Sequence, residues 1–438
     1  MLEFALTIAY ISLAIYLIGR WKIFRIPDIS PKVLNLLFII KIVAALALYI
    51  IYTRFYTDRT YADIFRYYDD SAVIYNAFTH RPWDYFRMLT GFQGDAPELK
   101  GYYDAMRNWY NTDLAFNDSR TMIRINAFLR LFSMGTYFPH AVVMCFLAML
   151  GLTGIFRVMK EMTKGRSFIL IIIIYLLPST LLWTSGMIKE AFLVFALGLL
   201  LYQVSMWKKE KAFSIRRLIG ILLSVMILIT VKAYIFFLFV PVVIVWLYSA
   251  SWKKSPFLLT GIVFSAYFLL LALAAPFITG RDVPTLISDK QAEFYYVADA
   301  EHAKSVVQVN RIEPEWGSLI REIPGAFTRT LFLPLPQHAY NILMWFSAFE
   351  NIFILFLSVI MLLSIRKEYL QHIPPFVVGA LLFGCAVFIL SGWVTPIIGA
   401  LVRYKVPGLP FLLFPLTVIS YRKWMDGNFL PWFKAGNS

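Results

Sequence analysis

Three aspartates in one short run are the first residues whose spacing suggests chemistry. Asp63, Asp69 and Asp70 occur in Tyr-Ala-Asp-Ile-Phe-Arg-Tyr-Tyr-Asp-Asp, residues 61 to 70, and separations of six and seven place them on neighbouring helical faces. A carboxylate set among tyrosines in this way can act as base towards a hydroxyl, or hold a divalent cation such as Mg or Mn on a phosphate. Asp69 and Asp70 point about 100° apart on a helix, so at most one of them leads. Asp58 precedes Arg59, and a local ion pair is its simpler role.

A second set is cationic. Lys189 and Glu190 stand in Trp-Thr-Ser-Gly-Met-Ile-Lys-Glu, and Arg403, Tyr404 and Lys405 in Leu-Val-Arg-Tyr-Lys-Val-Pro-Gly-Leu-Pro. Lys232 interrupts an apolar stretch of about thirty residues, too long for one spanning helix, and so marks a turn. Arginine suits bidentate binding of phosphate and lysine supplies point charge. Lys189, Lys232, Arg403 and Lys405 are therefore candidates for holding the phosphate or diphosphate of a lipid carrier, with Glu190 and Tyr404 in support. Each has a plainer reading. Lysines near helix ends, Lys41 and Lys405 among them, snorkel to the interface. Glu190 can simply neutralise Lys189 or favour a helix N-terminus.

Other chemistries lack residues. The five histidines, at 80, 140, 302, 338 and 372, include no pair at i, i+4, which argues against zinc. No Gly-x-x-x-x-Gly-Lys loop, Gly-x-Ser-x-Gly elbow or dinucleotide fingerprint is present, so ATP hydrolysis and serine hydrolase chemistry lack support. Tyr295, Tyr296, His302, Arg311, Glu313, Glu315 and Trp316 form a group that can stack on a sugar, and equally an ordinary folded loop.

The elements that must position these side chains are membrane helices. A chain of 438 residues that is 60% hydrophobic and 15% charged carries more apolar side chain than a soluble core hides. Eleven spans are expected, near residues 2–19, 33–53, 139–156, 167–183, 188–206, 218–231, 234–250, 256–278, 342–364, 373–391 and 406–421. The first lacks a basic leader and a small-residue cleavage site, so it is expected to stay as an anchor. Cys145 and Cys385 lie in apolar segments as small core residues, and Gly-Leu-Thr-Gly at 151–154 suits close helix packing.

Lysine and arginine mark alternate connections: Arg20 to Lys32, Arg157 to Arg166, Lys208 to Arg217, Lys253 and Lys254, Arg366 and Lys367, Arg422 and Lys423. The net charge of +15 thus records loop sidedness and not nucleic-acid binding. With those connections cytoplasmic, the N-terminus lies outside, the C-terminus inside, and the candidate cations and aspartates share the outer face. The expected organisation is two spans (1–53), an outer loop (54–138), six spans (139–278), a second outer loop (279–341) and three spans with a short tail (342–438). Loop 54–138 balances ten basic against ten acidic residues. Helical spacing of Ile64, Tyr67, Tyr68, Ser71, Ile74, Tyr75 and Phe78, and of Met122, Ile125, Phe128, Leu129 and Phe132, predicts amphipathic helices at the membrane surface.

This order of features resembles the GT-C superfamily of polyprenyl-phosphate-sugar-dependent glycosyltransferases. The 61–70 stretch is similar to their essential acidic loop, and Leu-Ile-Thr-Val-Lys-Ala-Tyr, 228 to 234, to a lysine-bearing turn. The segments bearing Lys189 and Arg403 also look like parts of bacterial polysaccharide polymerases. GT-C enzymes commonly carry the acidic loop after the first span, whereas here it follows the second. The resemblance implies an all-α integral membrane protein of the bacterial inner membrane, with about eleven transmembrane helices and interfacial helices in a large periplasmic first loop. It implies sugar transfer from a polyprenyl-linked donor to a lipid or glycan acceptor on the periplasmic side. A polymerase or ligase using undecaprenyl diphosphate and a lipid-linked glycan flippase or transporter are the alternatives. A transporter should show broken helices in corresponding places of two halves, which the sequence does not display.

Overall fold

The computed structural model describes residues 1–54, 59, 62–110, 118–163, 166–249, 251–252, 255–300, 303, 305–366 and 372–420, with the side chains of Asp63 and Ala300 outside that description. In chain order the helices are α1 (Leu2–Arg20), α2 (Pro31–Arg54), α3 (Asp63–His80), α4 (Pro82–Thr90), α5 (Asp118–Ser133) and α6 (Tyr137–Lys160). Then come α7 (Ser167–Ile171), α8 (Pro178–Trp183), α9 (Lys189–Glu210), α10 (Ile215–Tyr248), α11 (Pro256–Thr279) and α12 (Val283–Ala300). The last are α13 (Trp316–Phe332), α14 (Ile342–Leu362), α15 (Pro375–Val394), α16 (Ile398–Tyr404) and α17 (Leu409–Ile419). Among the described residues there is no strand, only isolated bridges at Val306–Ile397 and Ile365–Ser420. The chain is an all-α, multi-pass integral membrane protein.

Among the described residues eight helices are long and apolar enough to cross a bilayer, α1, α2, α6, α9, α10, α11, α14 and α15, and the pair α16–α17 makes a ninth if counted as one. All eleven expected segments are largely helical, but two are joined in one helix, one is interrupted and the last is short. The 34 residues of α10 hold two of them, and the backbone leaves helical geometry at Lys232 (φ −154°, ψ 87°), where the sequence places a turn. The segment 167–183 is α7, a π turn over Ile172–Leu176, an extended Leu177 (φ −60°, ψ 128°) and α8. Pro178 accounts for that break, since its ring disfavours helical geometry in the preceding residue. The last segment is only the 11 residues of α17, bent by 55° from α16. Its rise of about 16 Å falls short of the hydrocarbon thickness. Broken helices, not displayed by the sequence, are thus present.

The described residues fall into two compact units, one within 1–158 and 181–236, the other within 159–180 and 237–420. In the first, α6 and α9 meet at glycines. A Cβ on Gly154 would lie 2.2 Å from the Gly198 carbonyl oxygen, and one on Gly198 only 1.8 Å from that of Gly151. Backbone contact of this kind excludes any side chain and bears out the packing expected of 151–154. Helices α3, α4 and α5 pack together as a folded segment. Ile64, Tyr67, Tyr68, Ser71 and Ile74 of the α3 stripe are buried, whereas Tyr75 is half-buried and Phe78 exposed. On α5 the buried face is instead Met122, Ile123, Asn126, Ala127 and Arg130, while Phe128 and Phe132 are exposed. Arg130 is drawn inward because it donates to Ser71 Oγ (2.8 Å) and to the Tyr68 carbonyl (2.7 Å). A buried relay, Ser133 Oγ to His140 Nε2 (2.6 Å) and His140 Nδ1 to Asn126 Oδ1 (3.1 Å), ties α5 to α6.

Contacts also sort the connections of this unit by end. Glu3 Oε1 accepts from Tyr137 N and Phe138 N, so the chain start and the start of α6 lie together. Arg157 donates to the carbonyls of Lys22, Ile23 and Arg25, joining two of the basic connections. Thr121 Oγ1 donates to the Thr230 carbonyl, placing the Lys232 break beside the segment of α3, α4 and α5.

In the second unit α15 is central. Its Gly392 lies under Ala326 of α13, where a Cβ would come within 2.1 Å of a carbonyl oxygen, and Gly384 meets the backbone of Leu412 on α17. Phe239, Phe383 and Phe411 form an edge-to-face cluster with centroids 4.9–5.5 Å apart. The loop expected over 279–341 is largely helical, as α12 and α13.

Candidate functional site

In the first unit two lysine–carboxylate pairs gather where α9 begins. The loop that precedes it is pinned. Lys41 Nζ donates to Thr184 Oγ1, Cys145 Sγ reaches the Ser185 carbonyl at 3.5 Å, and a Cβ on Gly186 would meet Leu48 at 2.9 Å and Ile64 at 3.2 Å. Lys189, the first residue of α9, pairs with Asp118 at 2.7 Å and lies 5.1 Å over the Tyr67 ring. Its neighbour Glu190 pairs with Lys232 at 3.4 Å. Asp118 opens α5, and Lys232 stands where α10 breaks. Four separate elements therefore supply one network.

Burial ranks the four groups. The Glu190 side chain is 0% and Lys232 8% exposed, whereas Asp118 is 28% and Lys189 12% exposed. Glu190 is thus the most buried of the four and Asp118 the most exposed, with the two lysines between them. Chemically, two ammonium groups beside a partly exposed carboxylate can accept an anionic headgroup and a hydroxyl together.

The first-loop aspartates have separate settings. Asp69 receives a bidentate grip from Arg59, Nε and Nη2 both at 2.8 Å, and both side chains are about half exposed. Hydrogen bonding to Asp69 raises the Arg59 pKa, and its guanidinium lies 3.9 Å over Phe65. Asp70 is buried and accepts from Arg107 N (3.2 Å), Asn108 N (2.8 Å) and Asn108 Nδ2 (2.9 Å), so it anchors the chain at 107–108 to α3. Asp63 starts α3, and its side chain, like Asp58, lies outside the described residues. Arg59 therefore pairs across to Asp69.

In the second unit Lys405 is buried at the α16–α17 break. It donates to Asn351 Oδ1 at 2.6 Å and lies 3.7 Å from Glu350 Oε1. Glu350 Oε2 accepts from Ser179 N, and Asn351 Nδ2 donates to the carbonyls of Phe332 and Pro334. Snorkelling does not describe Lys405, which is 1% exposed, nor Lys41, which is 2% exposed in α2. Arg403 is on α16, and Tyr404 meets Phe294 edge-on at 5.8 Å. Tyr295 exchanges hydrogen bonds with the Val309 backbone, which is folded-loop work, and His302 lies outside the described residues.

Asp118 and Glu350 are absent from the sequence-based candidates. Glu350 carried a signal, being a lone carboxylate in a 21-residue apolar helix, where charge is costly without a partner. Asp118 carried a weaker one, as an acidic residue at the first turn of a helical pattern. Among the described residues no group of three or more histidine, cysteine or carboxylate side chains is placed to hold a metal ion. No family model, characterised protein or solved structure matches this chain.

Proposed function

We propose that the protein is a glycosyltransferase of the bacterial inner membrane. It moves a sugar from a polyprenyl-phosphate-linked donor to a lipid or glycan acceptor on the periplasmic side. The observation that carries this proposal is the network of Asp118, Lys189, Glu190 and Lys232 at the start of a membrane helix, under a folded hydrophilic segment. An arriving donor phosphate competes with Asp118 for Lys189 and frees that carboxylate. The acceptor oxygen then attacks the anomeric carbon and its proton passes to a carboxylate, Asp118 or one of Asp63 and Asp69. The sugar–phosphate bond breaks with its electron pair on the phosphate, which the lysines stabilise. Asp70 and Lys405, each held by several partners, serve to fix their segments.

The test is mass spectrometry of envelope glycans from strains carrying Asp118→Asn, Lys189→Ala or Lys232→Ala, against wild type and a deletion. Shortened glycans with accumulated donor are expected. Unchanged glycans and lipid-linked intermediates in the deletion strain would overturn the proposal. A polymerase or ligase predicts tolerance of Asp63→Asn, Asp69→Asn and Asp70→Asn with loss at the cations.

One observation favours a second activity, passage of a lipid-linked glycan across the bilayer. Helices break at Leu177, at Lys232 and between α16 and α17, and transporters place such breaks beside charged ligands. Vesicles holding the protein and a fluorescent lipid-linked glycan distinguish the two. Release of free polyprenyl phosphate marks transfer, and movement of intact lipid marks transport.

A further inference from the structure

At one end of the first unit three basic connections meet, and the proposed transfer uses none of them. Arg157, near the end of α6, donates to the carbonyls of Lys22, Ile23 and Arg25 and lies 5.5 Å over the Tyr202 ring of α9. It therefore ties the connection after α1 to the end of α9. Lys211 caps α9 in the left-handed region (φ 51°), its amide donating to the Trp207 carbonyl, and the chain runs on through 212–214 into α10.

Charge at this end has one sign. Residues 20–32 hold four basic residues and one acidic, residues 207–217 five and one, and Arg157 adds to them. Of the two acidic residues, Glu210 is taken by Arg217. Lys22, Arg25, Lys211 and Arg216 are exposed and pair with no carboxylate among the described residues. Such a face attracts anions, and arginine with lysine suits a phosphodiester.

Apolar side chains stand among these charges. Trp21, between Arg20 and Lys22, is 42% exposed; Trp207, before Lys208 and Lys209, is 43% exposed; Phe213, in the connection after α9, is 73% exposed. Both α1 and α9 are long and apolar enough to cross a bilayer, so their ends stand at the border of hydrocarbon and headgroups, where tryptophan settles. Basic and aromatic side chains interleaved at the ends of spans match the phosphate and the first methylenes of a charged lipid. We infer that this end of the first unit binds anionic phospholipid, its headgroup on Lys22, Arg25, Lys211 and Arg216 and its chains beside Trp21, Trp207 and Phe213. The inference goes beyond the proposed transfer, because these residues take no part in it.

The full chain, in nanodiscs of equal phosphatidylglycerol and phosphatidylcholine, is extracted into mild detergent and its retained lipids are counted by native mass spectrometry. Preferential retention of phosphatidylglycerol is expected. Combining Arg25→Gln, Lys211→Gln and Arg216→Gln should lower it at least five-fold, the loss expected for even one basic side chain near an anionic surface. Phe213→Ser should also lower it, and Lys100→Gln should leave it unchanged; thermal melting shows that each variant folds. For the unaltered chain, raising salt from 0.1 to 1 M should release the anionic lipid first, since the screening length falls from about 10 Å to about 3 Å. Equal retention of the two lipids, indifference to salt, or full retention in the triple variant overturns the inference. So does displacement of the lipid by millimolar glycerol phosphate, which would make the ligand a free phosphate, or binding of a labelled oligonucleotide in its place.

Discussion

Each charged residue here is defined by what neutralises it. Asp69 and Asp70 are adjacent, yet one meets Arg59 at the surface and the other is locked by three donors from residues 107 and 108. Asp69→Asn should therefore change stability by no more than about 1 kcal/mol, the ceiling for an exposed ion pair. Asp70→Ala should cost about 1–3 kcal/mol through its orphaned donors. Limited proteolysis near Arg107 checks this, with faster cleavage in the Asp70 variant alone. The Glu190–Lys232 pair makes a sharper case. Lys232→Met removes the ion pair of a fully buried carboxylate and should destabilise by about 3–5 kcal/mol, whereas Lys232→Met combined with Glu190→Gln should recover part of the loss. Thermal unfolding in detergent reads the difference, and equal losses in single and double variants would show that the two groups do not act as a pair.

Helices were the legible part of the sequence, because their periodicity and length are local properties. All eleven expected segments are largely helical, and the turn at Lys232 coincides with the backbone break. The breaks at Leu177 and before α17 were signalled by Pro178 and by Pro407-Gly408, but the apolar runs around them read as continuous. On α5 the spacing rule found an amphipathic helix with Phe128 and Phe132 on its apolar face, and both are exposed. The burial of Arg130 was not legible, since its partners on α3 lie 59 and 62 residues away in the chain. The same distance hid the Lys189–Asp118 and Lys405–Glu350 pairs. The α6–α9 contact was foreseeable on one side only, from the glycines of 151–154. Gly198→Val should abolish it, costing more than about 3 kcal/mol because backbone leaves no room to repack. Size-exclusion chromatography should show loss of the monodisperse species, and a normal profile would contradict the packing.

For the molecule as a whole, the regular alternation of basic connections predicts sidedness, and the contacts of Arg157 with Lys22, Ile23 and Arg25 show that two of those connections share an end. In intact cells Lys100→Cys, exposed on the outer segment, should react with an impermeant thiol reagent. Lys211→Cys, exposed after α9, should react only on lysis. The native Cys145 is buried and leaves the readout clean on that helix. The reverse pattern would invert the topology and remove the periplasmic setting.

The glycine seam between α6 and α9 has a bearing on adaptability. Because main chain touches main chain at Gly151, Gly154 and Gly198, α9 has no slack along its length, and the two charges at its tip keep a fixed address. Under the proposed function, a lineage changing its substrate would then have to do so from the facing side, through residues such as Tyr67 and Asp118, while the helix that offers Lys189 and Glu190 stays where it is.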